Sequence, residues 1–181
     1  METAPGGIVY VFCPKEEKQK ELIALLSGKK TDQGVCILDG MNSKEHLGEY
    51  RKKIDVIDRS KIVSTLTVQK YLIFYTMVTG IYGEETQRNI TSMLKENGME
   101  QEKNQVVNEL KDLEKIKVRC IASRLKKIRC LVGKNLLDEL NEEQRENLSF
   151  FLKKNFLQEQ CLCLLVDSTQ QENKEKEVSI P

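Results

Sequence analysis

Phosphate chemistry is what Cys13-Pro14-Lys15-Glu16-Glu17-Lys18-Gln19-Lys20 could do, given where it sits in the chain. The apolar run Ile8–Phe12 before it fits a short buried strand. A helical pattern follows, with Leu22, Ile23, Leu25 and Leu26 on its apolar side and Gly28 as the expected stop. Strand, loop and helix in that order frame a phosphate-binding loop. Such a loop reads G-x-x-x-x-G-K-[ST], because glycines let backbone N–H groups close around phosphate oxygens and a lysine reaches the outer phosphates. Here the loop has no glycine, and Glu16 and Glu17 would point negative charge at an anion. Lys15, Lys18, Lys20 and Lys134 could gather at the same place and hold another anion, or simply be solvated surface lysines.

A second candidate chemistry is thiol-based. The six cysteines are Cys13, Cys36, Cys120, Cys130, Cys161 and Cys163, mostly embedded in apolar runs such as IRCLV and CLCLLV. No C-x-x-C occurs, and the single histidine, His46, lies in a polar segment. Reduced cysteines used as small core residues account for this pattern. Cys161 and Cys163 would share a strand face as a ligand pair, and Cys13, on the loop, is expected to be the most accessible thiol.

With 181 residues the chain suits one domain with room for a small subdomain. A net charge of +1 with 31% charged residues argues against a general nucleic-acid or membrane-surface binder. No apolar run approaches the roughly 18 residues of a membrane span, and METAPGG lacks the regions of a signal peptide. These features point to the cytoplasm.

Further along, Gly34–Gly40 reads as a short strand closed by Asp-Gly turn chemistry, and Ile54–Ile57 as another strand. Helical patterns follow from Leu66 to Gly80, with Thr67 as N-cap, over about Glu84–Asn97, and over about Leu113–Lys126. The segment Glu100–Leu110 between the last two is polar and helical or irregular. Ile128–Val132 and Cys161–Val166 read as strands flanking a helix at Asn141–Asn155, and from Gln170 the polar tail reads as disordered. Strands alternating with helices predict an α/β fold with a mostly parallel sheet, and the three helices between predict an inserted helical subdomain over about 64–126.

Taken together, residues 6–169 resemble the ATP-binding subunit of an ABC transporter, in the branch that exports drugs and peptides. ELIALLSG (Glu21–Gly28) is similar to the helix after the family's phosphate loop, and GVCILDG to its next strand and turn. LTVQKYLIFYTMVTGI (Leu66–Ile81) is similar to the opening of the helical subdomain, and LNEEQRENLSFFLKK (Leu140–Lys154) to the helix after the catalytic strand. The resemblance implies a P-loop NTPase fold whose N-terminal antiparallel β subdomain is missing or reduced, since only METAP precedes the first strand.

Position by position, the resemblance puts the phosphate-binding lysine on Gln19 and the magnesium-binding hydroxyl on Lys20. The metal-sensing glutamine falls near Arg59, and the LSGGQ-like signature becomes Leu110-Lys111-Asp112-Leu113-Glu114 without its glycines. The magnesium-binding aspartate falls on Lys134, the catalytic glutamate on Asn135, and the late histidine on about Ser168. Asp138-Glu139 mimics the family's acidic pair about four residues too late, where it reads as surface or helix-capping. A triphosphate would then lack charge compensation and a general base.

These substitutions imply a pseudo-ATPase with no cofactor, acting as an interaction or regulatory module. Its implied partners are a membrane permease, an active ATP-binding subunit or a second copy, with membrane association only through a partner. Arg59, Ser60, Lys61, Tyr71 and Tyr75 are the candidate interface. A weak nucleotide or anion binder and a scaffold unrelated to transport are the alternatives.

Overall fold

Val, Ile and Leu runs too short for helices and flanked by polar breaks fold here as buried parallel strands. The computed structural model describes residues 6–29, 34–168 and the backbone of 177–179. The chain forms two compact units, one from residues 1–59 with 128–181, the other from Ser60–Lys127. The first begins with β1 (Ile8–Phe12), α1 (Glu16–Leu26), β2 (Ile37–Leu38), β3 (Met41–Asn42), α2 (Leu47–Lys53) and β4 (Ile54–Asp58). The second carries α3 (Val68–Val78), α4 (Glu84–Glu96) and α5 (Asp112–Leu125). The chain returns to the first with β5 (Cys130–Lys134), α6 (Glu142–Phe156), β6 (Leu162–Asp167) and β7 (Glu177–Ser179).

The first unit is built on a parallel sheet in the order β4-β5-β6-β1-β7. On one face the register lines up Ile54, Cys130 and Leu162 in one row and Val56, Val132, Leu164 and Val9 in the next, with Val166 and Val11 paired beyond them. Leu22, Ile23 and Leu26 of α1 and the buried Tyr50 of α2 cover that face. Each such side chain taken fully out of water contributes roughly 1.5–3 kcal/mol. Leu148, Phe151, Leu152 and Phe156 form the buried side of α6, whose N-cap Asn141 accepts a hydrogen bond from the Gln144 N–H at 2.9 Å. Since every strand points the same way, Cys13, Asp58, Lys134 and Asp167 end up at one edge of the sheet. Ligands of open parallel sheets bind at this edge.

Gly34–Gly40 departs from the expected sheet strand. β2 and β3 pair antiparallel as a separate two-stranded hairpin. Asp39 (φ 49) and Gly40 (φ 74) both take left-handed backbone, the requirement of a tight hairpin turn matched to strand twist. Cys36 and Leu38 pack inward on the core while Val35 and Ile37 face solvent. Antiparallel pairing among the described residues is confined to this hairpin and a single bridge between Thr67 and Val106.

The disordered tail expected from Gln170 is corrected at Glu177–Ser179, whose backbone pairs with Tyr10–Phe12 as β7. Its residues 170–176, 180 and 181 lie outside the described residues.

In the second unit α3, α4 and α5 pack on one another. The Thr67 hydroxyl accepts from the Lys70 N–H at 3.4 Å and starts α3. Leu72 on α3, Ile90 and Leu94 on α4, and Ile116 and Cys120 on α5 are buried at helical spacing. The Arg124 guanidinium pairs with Glu96 at 3.5 Å. Between α4 and α5 the chain makes 3-10 turns at Gln101–Asn104 and Val107–Glu109. Among the described residues no helix is long and apolar enough to cross a membrane.

Candidate functional site

Between the end of β1 and the start of α1 lie only Cys13, Pro14 and Lys15. The Cys13 N–H continues the β1–β6 ladder by donating to the Asp167 carbonyl at 3.0 Å. From there the chain turns directly into helix, with Gln19 already inside α1. Gln19 is buried, and its Nε2 donates to the Cys13 carbonyl at 2.9 Å. Gln19 thus closes the loop onto itself. Cys13 is fully buried, which corrects its expected accessibility. Its position just past the last β1 residue continues the inward alternation of Val9 and Val11, so strand parity outweighs membership of a loop. The most exposed thiol among the described cysteines is half-buried Cys36, and all six cysteines are free.

Two lysines of α1 form ion pairs within their own helix. Lys20 Nζ lies 2.9 Å from Glu16, and Lys18 Nζ 3.5 Å from Glu21. The Lys20 hydrogen bond and charge hold the Glu16 carboxyl below its usual range, with Lys134 adding to the effect and Asp58 opposing it. Glu16 and Glu17 occupy the first turn of α1, where the helix dipole favours an anion and where carboxylates already supply one.

At the neighbouring strand ends, Lys134 of β5 stands beside Asp58 of β4 in register, with 3.5 Å between Nζ and Oδ2. Their side chains are only 12% and 14% exposed. Asn135, just after β5, has φ 54 and donates its backbone N–H to the Val166 carbonyl at 2.8 Å. Its amide oxygen is buried, and an amide cannot take up a proton as a carboxylate does.

Glu139 is exposed at the surface, Asp138 is half-buried, and neither caps a helix. Arg59 donates to the Asp138 carbonyl and pairs with Glu139 at 2.8 Å, and the Ser168 hydroxyl donates to Asp138 Oδ2 at 2.9 Å. The cap of α6 is Asn141 instead. Arg59, Asp138 and Ser168 are therefore brought together, although they were assigned three separate roles from the sequence. Arg59 retains only 15% side-chain exposure. No sequence signal marks this clasp, because its partners lie 79 and 80 residues apart.

The remaining site residues belong to the second unit. Ser60 and Lys61 are exposed, in a 3-10 turn that begins at Arg59. Tyr71 and Tyr75 are half-buried, and the Tyr75 ring lies 4.6 Å under the Arg119 guanidinium. The exposed apolar side of α3 is Phe74, Met77 and Val78. A helix that is apolar all round, as VQKYLIFYTMV is, does not reveal which side faces out. In the segment Leu110–Glu114, Leu110 is buried and the Lys111 N–H donates to Glu114 at 2.9 Å at the start of α5.

A magnesium-bound triphosphate does not fit these residues. The turn offers no glycine amides, Lys20 and Lys134 are paired with carboxylates, and no cluster of metal-ligating groups occurs among the described residues.

No family model and no curated protein matches this sequence. Solved structures do. CbiO1 from Clostridium perfringens, part of the ABC transporter complex CbiONQ, is 13% identical with a TM-score of 0.80, covering 92% of this chain and 69% of that one. An ABC transporter ATP-binding protein from Pyrococcus furiosus is 15% identical with a TM-score of 0.76, covering 97% and 85%. The ATP-binding cassette MJ0796, a dimer in a post-hydrolysis state with ADP and Pi, is 16% identical with a TM-score of 0.72, covering 92% and 77%. The chain has the fold of an ABC transporter ATP-binding subunit, a mostly parallel sheet with helices. At these identities the likeness is one of fold.

Proposed function

We propose that this protein is a catalytically inactive relative of ABC ATP-binding subunits that works by binding another protein. The observation that carries this is the three-residue turn at Cys13–Lys15, closed from within by the Gln19 amide. Phosphoryl transfer depends on positioned charge around the phosphates. Here the corresponding charges compensate one another in the Glu16–Lys20 and Asp58–Lys134 pairs. The fold's relatives supply the partner classes: CbiO1 belongs to a transporter complex and MJ0796 forms a dimer. A permease, an ATP-hydrolysing subunit or a second copy is accordingly the partner, and the domain works in the cytoplasm. Residues around Ser60 and Lys61 and the exposed side of α3 form the contact surface.

Titration calorimetry with ATP and magnesium on the full chain is expected to give no saturable heat up to millimolar nucleotide, and phosphate release is expected to stay at background. Saturable micromolar binding would sink the proposal in favour of an unconventional nucleotide-binding protein.

A further inference from the structure

We propose that Arg59 is the latch of a strained loop, residues 135–139, and that it sets the sheet's ligand edge in place without any ligand. The loop begins and ends on non-glycine residues with left-handed backbone, Asn135 at φ 54 and Glu139 at φ 62. Side chains disfavour that region, so such residues persist where their surroundings over-determine them. Between them, Leu136 and Leu137 are buried.

The ties that hold the loop come from two sides. From β6, the Val166 carbonyl accepts the Asn135 N–H at 2.8 Å, and Asp167 Oδ1 accepts the Leu137 N–H at 3.0 Å. Ser168, just beyond β6, holds the Asp138 carboxylate. From the β4 side Arg59 reaches both the Asp138 carbonyl and the Glu139 carboxylate. The Glu139 side chain is 82% exposed, so its ion pair alone contributes little. The planar guanidinium matters because it spans a carbonyl and a carboxylate at once, which the point charge of lysine does not. A loop fixed in this way presents a preformed surface, which lowers the ordering cost of docking a partner.

This inference rests on the strand ends working without nucleotide, and the two fail separately. Hydrogen exchange on the full chain, read by mass spectrometry, tests the latch. In Arg59→Gln, amides 135–139 are expected to exchange about tenfold faster, with Arg59→Lys in between and α3–α5 unchanged. Glu139→Gly in the Arg59→Gln background is expected to slow the loop again, because glycine accepts left-handed backbone. Unchanged loop exchange in Arg59→Gln overturns the latch, as does an equal rise across the whole sheet. If Arg59→Gln fails to fold, Arg59→Lys decides by the same two readings. Nucleotide binding in calorimetry would remove the proposed function and leave this result readable.

Discussion

Replacing Gly133 with valine is expected to lower the stability of the protein by about 3 kcal/mol, and replacing it with alanine by about half that. Gly133 lies in the middle of the sheet, paired with Ile57 of β4 and Leu165 of β6. A Cβ there would stand 2.5 Å from Leu136 Cδ1, 2.9 Å from Leu136 Cγ and 2.9 Å from Leu165 Cδ2. Both leucines are buried in a close-packed interior, so neither swings aside without opening space elsewhere. The added methyl groups of valine enlarge the conflict. For a chain of this size, 3 kcal/mol corresponds to a fall in Tm of roughly 6–12 °C. Urea unfolding with unchanged m-value would confirm that the native packing changed. A valine variant within half a kcal/mol of the parent would mean that Leu136 can leave the strand end, and the tight packing described for this edge would be wrong.

That glycine also shows what the sequence could and could not convey. The strands were legible because burial on both faces demands near-continuous apolar runs. Ile8–Phe12 is met residue for residue, while Ile128–Val132 shifts to Cys130–Lys134. The shift arises because ladder pairing with β4 and β6 carries the strand on into Gly133 and Lys134, neither of which looks like strand by composition. A local signal also placed the Thr67 cap, since capping depends on residues a few positions apart.

The site was less legible. The residues of the suspected site could be read off, but their partners in the folded chain could not. Gln19 closing on Cys13, Lys134 against Asp58 and Arg59 on Asp138 are pairings set by tertiary proximity. Two of them join segments more than 70 residues apart. The Gly34–Gly40 segment misled for a related reason. Its short apolar run reads the same in a hairpin as in a parallel sheet, and the left-handed Asp39-Gly40 turn belongs to the hairpin.

Tyr50→Ala is expected to cost about 4 kcal/mol, Tyr50→Phe about 1 kcal/mol. The Tyr50 ring is buried in the core beside the C-terminal end of α1, close enough to Gly28 that a Cβ on that glycine would lie 3.2 Å from Tyr50 Cδ1. Its hydroxyl donates to the Leu26 carbonyl at 2.7 Å and thereby holds the last turn of α1 to α2. Alanine removes the ring and the hydrogen bond together, whereas phenylalanine removes only the bond, so the difference isolates the packing. The hydroxyl adds a pH signature. Burial raises its pKa above the ordinary phenol value of 10.0, with the thiols of Cys36 and Cys130 adding to the rise. The folded state thus keeps a proton that the unfolded chain releases above pH 10, and stability present below that pH is lost as pH rises past it. Half-buried Tyr10 is shifted the same way and contributes a second proton. Chemical unfolding between pH 9 and pH 11 should therefore show a falling stability in the parent and a shallower fall in Tyr50→Phe. Equal slopes in the two proteins would mean that the hydroxyl is wetter than its 2.7 Å bond to Leu26 implies.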